Sequence, residues 1–368
     1  MTKKLLPALI GVALAGGMTA ASADVTVFGH LDTSIDNIDV SDTDFGGNIS
    51  FDDTNMHCTT CSIGFKGSED LGNGLQAIFS LDFQFNTTER GNRGSSGQQI
   101  DTFKHWYDPS GLGQEGLADS ITDRDQWLGL KGGFGQVRLG TISTVYKSHG
   151  AMIDPMYRTA LQGREHGLQS FAFHSGAGEE TQGRATNTIR WDSANFSGFK
   201  LGATYTIDNN KEDGEDDNPY GIGGSYENGG ILVFADYITN DGSSAVLNHS
   251  DTSAWKLGGK YTFGDFAVMG QYEDFESADT TEDLDGQLWH IGGTFTMGNN
   301  MIYAAYGQNE VDDAGVQVAD GNAWTIAAMH SMSKRTKVYL GYNKIDEDYD
   351  TTENFEKDEI SLGVKHKF

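Results

Sequence analysis

The chain has 368 residues, with 53 acidic against 25 basic side chains and a formal net charge of −28 at pH 7. This surplus of negative charge argues against a nucleic-acid partner, because phosphate backbones are bound mainly by basic side chains. Glycine is abundant at 49 residues and proline is scarce at 4, which disfavours a disordered chain and favours long strands joined by tight turns.

The first 23 residues have the pattern of a secretory signal peptide. Lys3 and Lys4 precede an apolar run over residues 5–15, and Ala21-Ser22-Ala23 forms an A-x-A cleavage site. A single membrane anchor is the alternative, but it requires a longer apolar run and a stop-transfer pattern. We expect a mature domain of residues 24–368, in which 23 basic side chains face 53 acidic ones for a formal charge of −30.

The mature chain has no continuous apolar run of the length that a spanning helix needs, and the mean hydropathy of the whole chain is −0.45. A membrane β-barrel is still allowed, because its strands place an apolar side chain only at every second position. Residues 75–85 alternate in this way. The carboxyl-terminal segment does so too: Ile360, Leu362, Val364 and Phe368 share one face, whereas Ser361, Lys365 and Lys367 share the other.

Short and long connections alternate along the chain. The short turns are predicted at residues 67–74, 132–135, 193–198, 227–230, 264–265, 298–300 and 332–335. The long polar loops are predicted at residues 37–60, 86–123, 143–183, 208–218, 240–251, 274–285, 309–321 and 346–357. Seven turns and eight loops join sixteen strands. An even number of strands with this asymmetry predicts an all-β fold, a sixteen-stranded antiparallel transmembrane β-barrel with short periplasmic turns and long extracellular loops.

Cys58 and Cys61 form a C-x-x-C pair. An exported chain meets an oxidising compartment, so the pair predicts a small structural disulfide at the end of the first long loop. Two free thiols are the alternative. A zinc site is disfavoured because there is no second pair.

The acidic runs at residues 212–217, 282–285 and 346–350 are interpreted as hydrated loop surface bridged to lipopolysaccharide by divalent ions. A dedicated Ca²⁺ site is the alternative, but no run matches the twelve-residue loop with glycine at its sixth position. We expect neither a cofactor nor a resident metal.

Strand alternation also places several basic side chains on the water-facing side of the wall. Arg184 and Arg190 lie on the other face of their strand from Ile189 and Trp191. In the same way Arg138 lies on the other face from its apolar neighbours at 137 and 139, and His30 from those at 27 and 31. A narrow passage of low dielectric strengthens the field of each fixed charge, so these residues are candidates for pore lining.

Six segments resemble the general-diffusion porins of Gram-negative outer membranes. They are residues 25–32, 63–75, 124–140, 187–199 and 333–340 and the terminal Phe368. The resemblance implies a homotrimer in the outer membrane and a third long loop, residues 143–183, folded into the barrel. It also implies a basic constriction cluster at His30, Arg124 and Arg190, although its strand-two position is the uncharged Ser62, and it makes Phe368 an assembly signal.

The function expected from these observations is passive diffusion of ions and small hydrophilic solutes through a water-filled pore. Asp154 and Glu165 on the inward loop are expected to face the arginines, with Arg158 and Arg164 offsetting them, so that selectivity leans modestly towards anions. The alternatives are a sugar-specific channel lined by Trp106, Tyr107, Tyr146 and Tyr157, and a plugged barrel acting as an adhesin or enzyme. No G-x-S-x-G, H-E-x-x-H or phosphate-loop motif favours an enzyme, although a Ser/His hydrolase need not have adjacent residues.

Overall fold

The structure is a computed structural model that describes residues 24–42, 49–88, 122–163, 168–169, 184–207, 218–241, 251–278, 283–349 and 353–368. These residues contain the strands β1 (Asp24–Asp42), β2 (Ile49–His57), β3 (Ser62–Gly72), β4 (Leu75–Gln84), β5 (Thr122–Gly132), β6 (Gly135–Ser143), β7 (Arg184–Asp192), β8 (Phe199–Thr206), β9 (Tyr220–Asn228), β10 (Ile231–Asp241), β11 (Asp251–Phe263), β12 (Phe266–Ala278), β13 (Asp283–Met297), β14 (Asn300–Asp313), β15 (Val316–Ser331), β16 (Thr336–Tyr349) and β17 (Glu353–Lys367). One helix, α1 (Val145–Ile153), lies between β6 and β7. Within the described ranges, no helix is both long enough and apolar enough to cross a membrane.

The strands close into a barrel. From β3 onwards each strand pairs antiparallel with the next one in the chain, and β17 pairs with β1. Both β2 and β3 pair with the same edge of β1, β2 along residues 34–42 and β3 along residues 24–30. These two strands therefore occupy one position in the wall, and the seventeen strands form the predicted sixteen-stranded barrel.

The Cys58–Cys61 pair lies between β2 and β3. Its two sulfur atoms are 1.91 Å apart, as a disulfide. Three residues of β1, 31–33, lie opposite four residues, 58–61, which connect β2 to β3. The β2–β3 side of the pairing therefore has one extra residue, a bulge. The pair was expected at the end of a long loop, and it lies instead at a bulge within the wall.

The strands are longer than alternation predicted. All seven short turns lie where consecutive strands reverse, but the expected loop at residues 309–321 is a two-residue turn, Ala314-Gly315, between β14 and β15. Much of the expected loops at residues 37–60, 274–285 and 346–357 is also strand. Crossing a membrane takes about 9–11 residues of strand. Strands of 14–16 residues therefore continue beyond the apolar band, where outward-facing side chains are polar.

The wall separates an apolar outer face from a polar inner face. On β17, Ile360 and Leu362 are half exposed on the outside, whereas Ser361 and Lys365 are buried inside, as predicted. At the turn after β11 the outer aromatic rings of Phe263, Phe266 and Phe295 stack at centroid distances of 5.8 and 4.7 Å. Such aromatic girdles mark the interface between lipid and water.

Candidate functional site: the pore constriction

The segment after β6 enters the barrel as helix α1. Thr144 caps the helix, because its hydroxyl accepts a hydrogen bond from the Lys147 amide at 3.3 Å. The helix packs against the inner face of β8 to β12 and buries Val145, Tyr146 and Ile153. An inward fold of the third long loop was predicted, and the described part of that loop has it.

Beyond the helix, three wall side chains hold the loop backbone at residues 157–160. His30 on β1 donates from Nε2 to the carbonyl of Arg158 at 3.2 Å, and Lys365 on β17 donates to the carbonyl of Tyr157. The Ala160 amide donates to the Tyr339 hydroxyl of β16 at 3.2 Å, and that hydroxyl donates to Asp32 at 3.0 Å. We call His30, Tyr339 and Lys365 the latch. His30 is 1% exposed, so it binds the loop and does not line open water.

The strand arginines that were predicted to line the pore are all paired with carboxylates. Arg124 on β5 donates from Nε to Asp82 at 3.1 Å and from Nη1 to the side-chain oxygen of Gln84 at 2.6 Å. Arg184 on β7 donates to Asp125 at 2.9 Å, and the same carboxylate accepts from the Ser143 hydroxyl at 2.8 Å. Both arginine side chains are buried.

Arg138 and Arg190 lie opposite each other on β6 and β7 and share Asp192. Arg190 donates to Asp192 from Nε at 3.0 Å and from Nη2 at 2.7 Å. Its remaining nitrogen donates to the carbonyl of Ser143 and to the Ser148 hydroxyl, which fastens the start of the loop to the wall. The guanidinium of Arg138 lies 5.1 Å from the ring centre of Trp127.

Two bulges break the alternation from which these positions were predicted. Arg124 and Asp125 both lie opposite the single residue Asp82 in the pairing of β4 with β5. A second register shift occurs in β7, where Asn187 has a positive φ of 49°. Alternation therefore could not assign Asp125 to the arginine cluster, and the face predicted for Arg184 does not follow from that of Arg190.

Asp154, one of the two carboxylates expected to face the arginines, is placed differently. Asp154 ends helix α1, and its two oxygens accept from the amides of Met156 at 2.8 Å and Gly163 at 2.9 Å. Its carboxylate is thus bound to the backbone of its own loop. Glu165 lies outside the described residues. Among the described residues, the ion pairs of these arginines are with Asp82, Asp125 and Asp192, all on strands.

A second polar cluster lies between helix α1 and the strands β10 and β11. His149 on α1 hydrogen-bonds Asp236 on β10 at 2.7 Å, and the Lys256 ammonium lies 3.8 Å from the ring centre of Tyr146. Tyr146 is 3% exposed, so its faces are covered by protein. In the ranges that the structure describes, no group of three or more histidine, cysteine or acidic side chains is placed to hold a metal ion.

The terminal Phe368 closes the seam between β17 and β1. Its carbonyl accepts from the Gly29 amide at 3.1 Å, and its own amide donates to the Gly29 carbonyl at 3.2 Å. The aromatic ring lies over the outer face of Gly29, where a β-carbon would be only 2.2 Å from the ring. Only glycine leaves room for the ring at this position.

Comparison with known proteins places this barrel in a family. A family model described as Gram-negative porin matches residues 8–350. Outer membrane porin protein 32 of Delftia acidovorans is 28% identical over 354 residues, covering 92% of this chain and 88% of that protein.

Solved structures agree on the fold. An anion-selective porin from Comamonas acidovorans superposes with a TM-score of 0.72 at 21% identity, covering 94% of this chain and 100% of that one. OmpT of Vibrio cholerae, in a trimer form, has a TM-score of 0.65 at 12% identity, covering 94% and 100% of the two chains. The family match over nearly the whole chain and the closed sixteen-stranded wall lead to one conclusion. The chain belongs to the Gram-negative porins, outer-membrane barrels that form water-filled channels for passive diffusion.

Proposed function

We propose that this porin is a general-diffusion pore with a modest preference for small anions, that it works as a homotrimer and that it catalyses no reaction. The preference for anions is inferred from the balance of positive and negative side chains at the constriction. Five arginines, at positions 124, 138, 158, 184 and 190, gather around three aspartates, at positions 82, 125 and 192. Within this set of eight described residues the surplus is two positive charges, whereas the chain as a whole is strongly acidic.

The acidic surplus of the chain does not cancel this local field. Charges beyond the apolar band lie in water, where they are screened over about 8–10 Å at physiological ionic strength. The arginines are mostly buried at the passage itself, where screening is weaker. The anion selectivity named for the Comamonas porin supports the same sign here.

The test is the reversal potential of single channels in a planar bilayer under a tenfold KCl gradient. We expect a potential displaced towards the chloride equilibrium value. Asp82→Asn removes the carboxylate next to Arg124 and should displace the potential further in the same direction. A wild-type potential on the potassium side would contradict the proposed preference.

A sugar-specific channel is the rival function, and it requires exposed aromatic faces along the passage. Tyr146 is buried against Lys256, and Trp106 and Tyr107 lie outside the described residues. Tyr157 is half-buried, with the Arg158 guanidinium 5.9 Å from its ring centre, and one such ring does not form a stacking track. Current recordings with added maltooligosaccharides should therefore show no sugar-induced block. Concentration-dependent block would favour the sugar channel.

The homotrimer is supported by the trimer form of the Vibrio protein and by the family. Native mass spectrometry of detergent-extracted protein should give three chains per particle. Lipopolysaccharide is the expected outer-leaflet partner of the acidic loops, and retained lipopolysaccharide should appear in the same spectra and be lost on chelation of divalent ions. A monomeric particle would refute the proposed assembly.

A further inference from the structure

The inward loop carries an arginine in an unusual backbone conformation. Arg158 has a φ of 58°, in the left-handed region that residues with a β-carbon seldom adopt. Such conformations persist where the surrounding structure holds them, and they cluster at functional sites. Here the latch supplies the restraint: His30 binds the Arg158 carbonyl, Lys365 binds the Tyr157 carbonyl, and Tyr339 binds the Ala160 amide.

The Arg158 side chain extends from this anchored backbone towards β4. Its Nη2 lies 4.0 Å from the Asp82 oxygen that already accepts from Arg124 Nε at 3.1 Å, so the two arginine nitrogens are at most about 7 Å apart. Among the described residues, the Arg158 guanidinium makes no hydrogen bond, and its buried Nε has no partner.

Arg158 differs in this respect from the four strand arginines. Each of those donates at least one hydrogen bond to a carboxylate, and their side chains are 5–12% exposed. The Arg158 side chain is 23% exposed. Among the five described arginines of the constriction, it is thus the most exposed, and it donates no hydrogen bond to a carboxylate. The carboxylate beside it is already neutralised by Arg124, so the charge of Arg158 remains available to a passing ion.

We infer that Arg158 is the residue that sets the anion preference of the pore, by offering its guanidinium to small anions such as chloride or the carboxylate of a small solute, and that the latch positions it. This inference rests on the proposed diffusion function. It places the charge that favours anions on the inward loop, whereas alternation along the strands predicts it on the barrel wall. The strand arginines then serve mainly as balanced ion pairs that shape the passage and, at Arg190, fasten the loop.

The inference is tested by bilayer recordings of the full-length protein in a KCl gradient. Arg158→Gln should lower the chloride-to-potassium permeability ratio about tenfold, because one charge about 6 Å from the ion path in water changes the permeability of each ion about threefold, in opposite directions for chloride and potassium. Arg158→Lys keeps the charge and should retain most of the preference. Arg335→Gln removes the same charge from the exposed turn between β15 and β16 and should leave the ratio unchanged.

A separate variant tests whether the latch positions Arg158. Tyr339→Phe removes the hydroxyl that binds the loop but no charge, and it should lower the permeability ratio and add subconductance steps. Tyr303→Phe is the matched control, since it removes a buried wall hydroxyl that does not bind residues 157–160. Every variant is recorded as an open channel, so only folded protein contributes.

The outcomes separate the inference from the proposed function. A wild-type protein that forms no open channel would refute both. An anion-preferring wild type whose ratio is the same in Arg158→Gln and Arg335→Gln would overturn the role of Arg158 and leave the diffusion function standing. A loss of about tenfold in Arg158→Gln that Arg158→Lys restores would support the role, and a Tyr339→Phe ratio equal to wild type would overturn the latch as its positioning device.

Discussion

The contact between Gly29 and Phe368 makes a quantitative prediction about barrel closure. Gly29→Ala adds one methyl group to the outer face of β1. Its carbon would be 2.2 Å from the Phe368 ring at Cζ and 2.7 Å from two neighbouring ring atoms, whereas carbon atoms in contact normally lie about 3.5–4.0 Å apart. Because two backbone hydrogen bonds fix the residues relative to each other, the ring must leave its position or the seam must shift.

The expected cost is about 1–3 kcal/mol, the usual penalty for forcing an extra methyl group into a packed contact. The assay is the heat-modifiable mobility of the folded barrel on gels, followed as a function of urea concentration. Gly29→Ala should unfold at lower urea than wild type. Gly133→Ala is the control, because a β-carbon at that position meets no atom within 4 Å.

Phe368→Ala provides the second arm of a double-mutant cycle. Alone it should lower both stability and the yield of assembled barrel, as expected for a terminal assembly signal. Combined with Gly29→Ala it should cost less than the sum of the two single changes, since the clash needs the ring. Equal midpoints for Gly29→Ala and wild type, or strict additivity in the cycle, would refute the packing argument.

The remaining predictions concern processing, redox state and the wall charges. Intact mass of outer-membrane protein should show cleavage at the predicted A-x-A site, and a retained leader would count against it. Cys58 and Cys61 should resist alkylation until a reductant is added; quantitative labelling before reduction would mean free thiols. Neutralising Arg124 together with Arg190 should move the reversal potential towards potassium more than neutralising Asp346, Asp348 and Asp350, and the reverse order would show that the constriction lies elsewhere.

The barrel could be predicted from the sequence because the patterns that indicate it lie within short segments of the chain. Alternation on β17 needs only nearest neighbours along the chain, and the tight turn at Gly264-Asp265 is marked by its own residues. Loop lengths were less readable. The polar composition of residues 309–321 predicts a loop. In the structure these residues are the ends of two strands that extend beyond the lipid into water, where polar side chains are expected on both faces.

The roles of the charged residues depended on contacts between distant parts of the chain. His30 was predicted to line the pore from its face of β1, but its partner is a loop carbonyl 128 residues away. Asp154 has the right charge on the right loop, yet its oxygens bind neighbouring amides.

The sequence by itself thus determined the closed sixteen-stranded wall and the polar inner face, because period-two alternation and turn residues are properties of short segments. The inward third loop was implied by the resemblance to the porin family. Only the tertiary structure decided which charges cancel and which remain. The bulge at Arg124 and Asp125 shifts the alternation by one residue, and the latch from β1, β16 and β17 turns Arg158 towards Asp82. Ion pairing depends on distances of a few ångströms between strands remote in sequence, and no local pattern encodes such distances.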